Sequence, residues 1–240
     1  MPLPSTACCE AIAAMIETFG RVLVVAPHPD DEVLGCGGTI ARMTAAGAEV
    51  HVLVATEGKP PRYSAESVSQ VRAEMQRAHA LLGVKETHLL DLPAAQLDTI
   101  AASDINAAVG EIVTGLQPDT LFLPFVGDIH SDHQAIFTAA MVAARPRSTK
   151  APRRILCYET LSETNWYAPP LTPAFVPDVF IGIAGTIDRK IEAFRHFESQ
   201  VRPFPDERSI EAIEALARLR GATVFLPAAE AFVNIRQICE

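Results

Sequence analysis

The chain has 240 residues, of which 49% are hydrophobic, and its formal net charge is −9. The high apolar content argues against a disordered chain, and the negative charge argues against binding nucleic acid through phosphate neutralisation. No apolar run reaches the roughly 18–20 residues that a membrane span needs, so we expect none.

The amino-terminal segment and the cysteines together indicate a location. Residues 1–20 are apolar but lack a basic region, which predicts a short amphipathic helix rather than a signal peptide. The five cysteines form no CxxC pair and are odd in number, which is typical of a reducing compartment. We therefore expect a cytoplasmic protein. No sequence neighbour of Cys36 would activate its thiol, so we expect it to have no chemical role.

The first 150 residues alternate between strand and helix patterns. Runs rich in valine and leucine predict strands at 21–26, 49–56, 87–90 and 120–125. Helical spacing and glycine stops predict helices at 39–46, 65–82, 100–116 and 132–144, with residues 35–38 as a glycine-rich loop. This alternation predicts an α/β fold of the Rossmann-like, three-layer type, with a mostly parallel central sheet.

The second half is less regular. It contains a predicted strand at 154–158, helices at 187–200 and 209–219, and short apolar segments at 223–226 and 229–235. The loop over 162–177 is rich in proline and aromatic residues, and its length suggests a lid or a binding wall. We expect one domain over residues 1–240, in which the part after about residue 150 supplies substrate-side loops.

Two polar clusters directly follow the first and fourth predicted strands. They are PHPDDE at residues 27–32 and DIHSDH at residues 128–133. In a sheet with the strand order 3-2-1-4-5, strands one and four are neighbours where the winding reverses, and a crevice opens at their carboxyl ends. We therefore expect the two clusters to meet.

The clusters have the composition of a metal-hydrolase site, which needs about three protein ligands and an open position. His28 and Asp31 could bind one cation together with His130 or His133. A carboxylate that is not a ligand, Asp30, could take a proton from water. A free His130 could stabilise an oxyanion or protonate a leaving amine. Asp132 could orient a histidine.

These motifs resemble those of the PIG-L/LmbE-like N-deacetylases. The family's first hallmark matches HPDDE at residues 28–32, and its second, HxDH, matches residues 130–133. The resemblance covers about residues 20–145 strongly and the remainder more loosely. Further matches are the glycines at 35–38, TEG at 56–58, Arg72 with Glu74 ahead of LGV at 82–84, and the segments 159–164 and 229–232.

The resemblance implies a zinc-dependent enzyme that deacetylates an N-acetylated amino sugar, such as N-acetylglucosamine, or a glycoconjugate of one. It also suggests a homo-oligomer. A His₂Asp set with an open position would equally suit iron, cobalt or nickel. The implied site consists of the zinc ligands His28, Asp31 and His133, the general base Asp30, the electrostatic or acid partner His130, and a pocket arginine, Arg72. Relatives often have Gly-Glu after this threonine, whereas this chain has Thr56-Glu57-Gly58, so no substrate role is assigned to Glu57.

Several alternatives stay open. The substrate could be a non-sugar N-acyl compound, or the chain could be a metal-dependent sugar-binding protein without activity. Trp166 and Tyr167 could form a sugar-stacking wall or pack as ordinary loop residues. The glycines do not form a dinucleotide motif, because Ile40 occupies the third glycine position.

Simpler structural roles account for some of the polar residues. Either cluster could be a helix-capping turn, with Asp132 as a cap of the helix that follows it. The four histidines outside the clusters are expected to be structural or exposed, because none joins a cluster; they are His51, His79, His88 and His196.

Overall fold

The computed structural model describes residues 19–168 and 170–239. The helix expected over residues 1–20 therefore lies almost wholly outside the described residues. The strands are β1 (Val22–Ala26), β2 (Val50–Glu57), β3 (Glu86–Pro93), β4 (Thr120–Pro124), β5 (Arg154–Tyr158), β6 (Val179–Gly182) and β7 (Ala229–Gln237). The helices are α1 (Asp31–Ala45), α2 (Ala65–Leu82), α3 (Ala102–Leu116), α4 (Ser131–Ala143), α5 (Ile187–Arg195) and α6 (Ile210–Thr223), with a short 3₁₀ turn at Leu97–Thr99.

The seven strands form one sheet in the order β3-β2-β1-β4-β5-β7-β6. The first five strands along the chain are parallel, and β7 runs antiparallel to both β5 and β6. The predicted α/β fold and the order 3-2-1-4-5 are therefore confirmed. β1 and β4 are direct neighbours, so the loops that follow them leave the same edge of the sheet.

Helices cover both faces of the sheet, as the fully buried β1 illustrates. Val22 and Val24 point into a core formed with α1, α2, α5 and α6. Leu23 and Val25 point to the opposite face, where they pack with α3 and α4. A parallel strand buried on both faces has a continuous apolar sequence rather than an alternating one. Within the described residues, no helix combines the length and apolarity needed to cross a bilayer.

The predicted glycine-rich loop at residues 35–38 is wrong, because these residues lie inside α1. Their glycines serve close packing instead of a tight loop. A Cβ on Gly35 would clash with the ring of Tyr158, and one on Gly38 would lie 2.7 Å from Cδ1 of Ile183. Helix α1 starts at Asp31, so the last two residues of the first polar cluster belong to its first turn.

A buried ion pair fastens the middle of α1. Lys190 Nζ lies 2.6 Å from Glu230 Oε1 and donates to the carbonyl of Leu34 at 2.7 Å. Glu230 also accepts from the backbone amides of Gly38 and Thr39, at 2.9 and 2.7 Å. Because Lys190 lies on α5 and Glu230 on β7, the pair attaches both of these elements to α1.

The second half departs from the predictions in several places. Strand β6 was not predicted, and α5 ends at Arg195 rather than at residue 200. Beyond its end, Ser199 donates to Glu74 from both its amide and its hydroxyl. Helix α6 continues to Thr223, so Gly221 lies within it, where a Cβ would meet the backbone of Ala228. Residues 224–226 form no helix or strand, and the described residues of 162–177 form none either, as predicted.

Candidate active site

Both polar clusters lie at the carboxyl edge of the sheet. His28 and Asp30 belong to the turn between β1 and α1, and His133 lies in the first turn of α4. Asp30 is the N-cap of α1 with φ of 119°, a left-handed conformation that non-glycine residues rarely adopt. Its amide donates to Oε2 of Glu32 at 3.2 Å, which helps to hold this turn. Such strain is concentrated where the surrounding structure must aim a functional side chain.

The structure brings together one donor atom each from His28, Asp31 and His133, all within 4.8 Å of one another. Oδ2 of Asp31 lies 3.3 Å from Nδ1 of His28 and 3.2 Å from Nε2 of His133. Two buried atoms of this group, Oδ1 of Asp31 and Nε2 of His133, have no hydrogen-bond partner. Buried polar atoms are rarely left unpaired, and two imidazoles with a carboxylate are a suitable donor set for a divalent transition metal.

Two further carboxylates orient the imidazoles. Oδ2 of Asp128 accepts from Nδ1 of His133 at 2.8 Å, and its Oδ1 accepts from the hydroxyl of Thr164 at 2.6 Å. Asp132 lies 3.1 Å from Nε2 of His28. The other nitrogens, Nδ1 of His28 and Nε2 of His133, therefore both face Oδ2 of Asp31. This is the carboxylate–histidine–metal arrangement found at many metal sites. Asp128 belongs to the second polar cluster, but no sequence pattern indicated this role.

Asp132 also anchors the loop before the 3₁₀ turn, because it accepts from the amides of Ala95 at 2.6 Å and Leu97 at 3.2 Å. The alternative in which Asp132 caps α4 is wrong. The N-cap is His130, whose Nδ1 accepts from the amide of Asp132 at 3.1 Å. The proton of a neutral His130 therefore resides on Nε2.

The charges around the cluster favour a cation there. Burial alone would lower the pKa of His28, but hydrogen bonds to Asp132 and Asp31 outweigh it and raise this pKa to about 9. In the same way, Asp31 and Asp128 overcome burial and raise the pKa of His133 to about 10. His130 behaves differently, since burial and then the charge of His28 lower its pKa to about 4. It is therefore a neutral hydrogen-bond donor at neutral pH.

The carboxylate of Asp30 is paired with Arg208. Nη1 of Arg208 donates to Oδ2 of Asp30 at 2.9 Å, and the Asp30 side chain is only 3% exposed. Burial raises the pKa of Asp30 to about 7, although the positive charge of Arg208 opposes the shift. Ser162 and Gln200 accept further hydrogen bonds from Arg208, at 3.1 and 3.0 Å. No sequence motif pointed to Arg208.

A cavity of about 330 Å³ opens beside the cluster, and His28, Asp30 and His130 line it. One wall is apolar and comes mainly from α2 and the adjoining strands. Its residues are Val54, Tyr63, Val68, Val71, Met75 and Leu89. Most of the remaining lining is polar, with Thr56, Glu57, Ser67, Gln70, Arg72, Asp91, Glu163, Ser199, Gln200 and Arg208.

Residues 23–144 of the chain match the PIG-L family, described as GlcNAc-PI de-N-acetylase. The chain belongs to this family. Among curated relatives, the diacetylchitobiose deacetylase of Thermococcus kodakarensis is 29% identical over 196 residues, which are 78% of this chain and 71% of that protein.

Solved structures share the fold of this PIG-L chain. The conserved protein TT1542 from Thermus thermophilus has a TM-score of 0.74 at 27% identity, covering 91% of this chain and 96% of that one. GalB, the 4-carboxy-2-hydroxymuconate hydratase from Pseudomonas putida KT2440, has a TM-score of 0.72 at 19% identity, covering 92% and 98%. The same fold therefore also occurs in a hydratase, and the site must decide the chemistry.

Two pocket residues expected in this PIG-L chain have different surroundings. Arg72 lines the cavity, where its guanidinium pairs with Glu57 at 2.7 Å and with Asp91. Glu57, to which no role was assigned, therefore belongs to the cavity wall. Trp166 does not line the cavity: it is 61% exposed and donates from Nε1 to Glu207 at 2.7 Å. The loop contributes Glu163 to the cavity instead.

The histidines outside the two clusters have distinct environments. His79 is buried and hydrogen-bonds to Glu32 at 2.9 Å and to Thr87 at 2.7 Å, in keeping with a structural role. His51 and His88, which belong to neither sequence cluster, lie beside each other on β2 and β3. Parallel pairing of the two strands brought them together, and no local motif indicated it.

Proposed function

We propose that the chain is a zinc-dependent N-deacetylase that releases acetate from an N-acetylated amino sugar or a conjugate of one. The observation that carries the proposal is the convergence of His28, Asp31 and His133, with two unpaired buried donor atoms, beside a cavity that Asp30 and His130 also line. Membership of the PIG-L family and the relative named diacetylchitobiose deacetylase support it.

The residues that would hold the cation are His28 through Nδ1, Asp31, and His133 through Nε2. When bound, such a cation lowers the pKa of water and polarises an amide carbonyl. Zinc suits a His₂Asp set with an open position, and iron, cobalt and nickel suit the same set. Asp128 and Asp132 hold the two imidazole rings by their other nitrogens.

Asp30 is the general base, since its carboxylate lines the cavity next to the ligand cluster. Arg208 occupies Oδ2 of Asp30, which leaves Oδ1 to accept the proton of the attacking water. Addition of the hydroxide to the amide carbon produces a tetrahedral oxyanion, to which Nε2–H of His130 donates a hydrogen bond. Asp30 then returns its proton to the nitrogen, the C–N bond breaks, and the products are acetate and a free amine.

The cavity suggests how a sugar would bind. Arg72, Glu57 and Gln200 offer donors and acceptors for hydroxyl groups, and the apolar wall on α2 can pack against a ring face or an aglycone. The extent of this apolar wall also favours a second candidate function, the deacylation of a non-sugar N-acyl compound. Both candidates use the same catalytic residues and differ only in the group that fills the cavity.

An acetate-release screen on metal-stripped protein reconstituted with Zn²⁺, Fe²⁺, Co²⁺ or Ni²⁺ tests the proposal. The substrates are N-acetylglucosamine, diacetylchitobiose, N-acetylglucosamine conjugates and N-acetyl amino acids. We expect acetate from at least one sugar with a reconstituted metal, and none from His133→Ala. Acetate from the amino acids alone would select the second candidate. Acetate from no substrate with any metal would overturn the deacetylase proposal.

We also propose that the protein works in the cytoplasm. Of the described cysteines, Cys36 and Cys157 are buried and Cys239 is exposed, and all three are free thiols. Free thiols are usual in reducing compartments. Fractionation of the source cells with a specific antibody would test this, and recovery of the protein outside the cytoplasmic fraction would contradict it.

A further inference from the structure

A second group of metal-binding side chains lies where β2 and β3 begin. One donor atom each from His51, Glu86 and His88 falls within 4.8 Å of the others. Nδ1 of His51 is 3.1 Å from Nε2 of His88, and Oε2 of Glu86 lies 3.8 and 4.0 Å from these two nitrogens.

The pairing of the two parallel strands creates this group. His51 is in register with Glu86, and Leu53 is in register with His88. Residues two apart on a strand point to the same face, so all three side chains share one side of the β2–β3 pair. His51 and Glu86 belong to the amino ends of their strands, whereas the catalytic cluster lies at the carboxyl edge. The two groups share no residue.

A carboxylate already orients His51 for coordination. Oε1 of Glu49 accepts from Nε2 of His51 at 3.0 Å and is itself held by Nε of Arg21 at 2.8 Å. In a neutral His51 the unprotonated nitrogen is therefore Nδ1, and this atom faces His88 and Glu86. This is the same carboxylate–histidine arrangement that supports ligands at metal sites.

We propose that His51, Glu86 and His88 form a second binding site for a divalent transition metal of the zinc, cobalt or nickel class. Ligand atoms that are each about 2.0–2.2 Å from one ion lie roughly 3–4 Å from one another, which matches the three separations. Two imidazoles select these metals over calcium or magnesium. His88 coordinates through Nε2 once its proton shifts to Nδ1, so no proton need leave the imidazoles. Water completes the coordination.

The site is open to solvent on one side and tied to the sheet on the other. The Glu86 side chain is 61% exposed and that of His88 is 18% exposed, while that of His51 is 5% exposed. A cation can therefore enter past Glu86 and bind to a preformed pair of imidazoles. Because β3 is the outermost strand at this border of the sheet, a bound ion would cross-link it to β2.

The test is metal stoichiometry, measured on the full chain without a histidine tag. The protein is stripped with a chelator, loaded with excess Zn²⁺, passed through gel filtration and analysed for bound zinc. We expect two equivalents for the unmodified chain, one each for His88→Ala and His133→Ala, and none for the double variant. His196→Ala is the matched control and keeps two. Circular dichroism confirms that each variant is folded.

A second readout covers the case in which His88→Ala fails to fold. Glu86→Gln alters an exposed side chain, and it should weaken zinc binding at least 10-fold in the His133→Ala background. The second site is overturned if the unmodified chain binds one equivalent of zinc and His88→Ala or Glu86→Gln leaves that value unchanged. If His88→Ala bound none and His133→Ala still bound one, the second site would stand and the catalytic metal site would be the one refuted.

Discussion

Nη1 of Arg208 lies 2.9 Å from Oδ2 of Asp30, although 178 residues separate them in the chain. The contact links the irregular second half of the chain to the turn after β1. It occupies Oδ2 of the carboxylate, so in the proposed mechanism the other oxygen, Oδ1, accepts the proton of water. Arg208 is therefore a positioning residue for the proposed base.

Arg208→Met should lower kcat by about 100-fold, the order of loss expected when a reacting group is misplaced by about 1 Å. KM should change much less, because the proposed role concerns Asp30 and not substrate affinity. Arg208→Lys should recover only part of the rate, since an ammonium cannot bind Asp30, Ser162 and Gln200 with the geometry of a guanidinium. The nearby exposed Arg202→Met is the control. An unchanged kcat in Arg208→Met would remove Arg208 from the mechanism.

Asp30→Asn should retain the bound metal and lose activity by about 100- to 10,000-fold, the range for a general acid–base group. The amide cannot accept the proton of water, whereas the ligand atoms of His28, Asp31 and His133 are untouched. Acetate release and elemental analysis on the same sample measure both effects. Asp104→Asn, on the exposed start of α3, is the control. Normal turnover by Asp30→Asn would refute the assignment of the base.

Asp128→Asn should weaken metal affinity by about 10- to 100-fold, as loss of a carboxylate behind a ligating histidine does. The change leaves the three ligands in place but removes the charge that orients His133 through Nδ1. Competition with a chromogenic chelator measures the affinity. Thr164→Val, which removes only the hydroxyl that binds Asp128, should have a smaller effect. Equal affinity in Asp128→Asn and the unmodified protein would contradict this role.

Arg72→Met should raise KM for the sugar substrate about 10-fold with little change in kcat, as loss of uniform binding does. The guanidinium lines the same cavity as Asp30 and pairs there with Glu57. Steady-state kinetics separate the two parameters. A fall in kcat at constant KM would instead place Arg72 in the chemical step.

Lys190→Met should reduce the free energy of unfolding by about 3–5 kcal/mol, because it leaves the buried carboxylate of Glu230 unpaired. Arg218→Met is a suitable control, since it breaks an exposed pair with Glu214 that is worth at most about 1 kcal/mol. Urea titration followed by circular dichroism compares the two. Equal losses in both variants would show that the buried pair does not fasten α1.

The parts of the fold and site that depend on local pattern could be predicted from the sequence. Apolar runs indicated β1 and β4, and the polar clusters directly after them indicated where His28 and His133 lie. Tight packing against Tyr158 could not be read from the glycines, so residues 35–38 were predicted as a loop rather than as part of α1. The sequence alone does not distinguish a glycine that forms a turn from one that allows close packing.

The remainder depended on contacts between distant segments. Arg208 reaches Asp30 only because the loop after α5 folds back over the carboxyl edge of the sheet, and His51 meets His88 only through strand pairing. Trp166 was a candidate for a sugar-stacking wall, but its indole hydrogen-bonds to Glu207 and does not line the cavity. A single sequence contains no record of such pairings, because neither partner is marked by its neighbours.

The position of β1 and β4 in the middle of the sheet determines the order in which parts of the molecule would unfold on heating. Fraying begins at borders, where a strand has a neighbour on one side only, and β3 together with the adjoining α2 supplies much of the apolar cavity wall. Mild heating should therefore reduce substrate specificity before it releases the cation proposed to bind at the catalytic site. Amide exchange should show the same sequence, with protons of β3 replaced well ahead of those in β1.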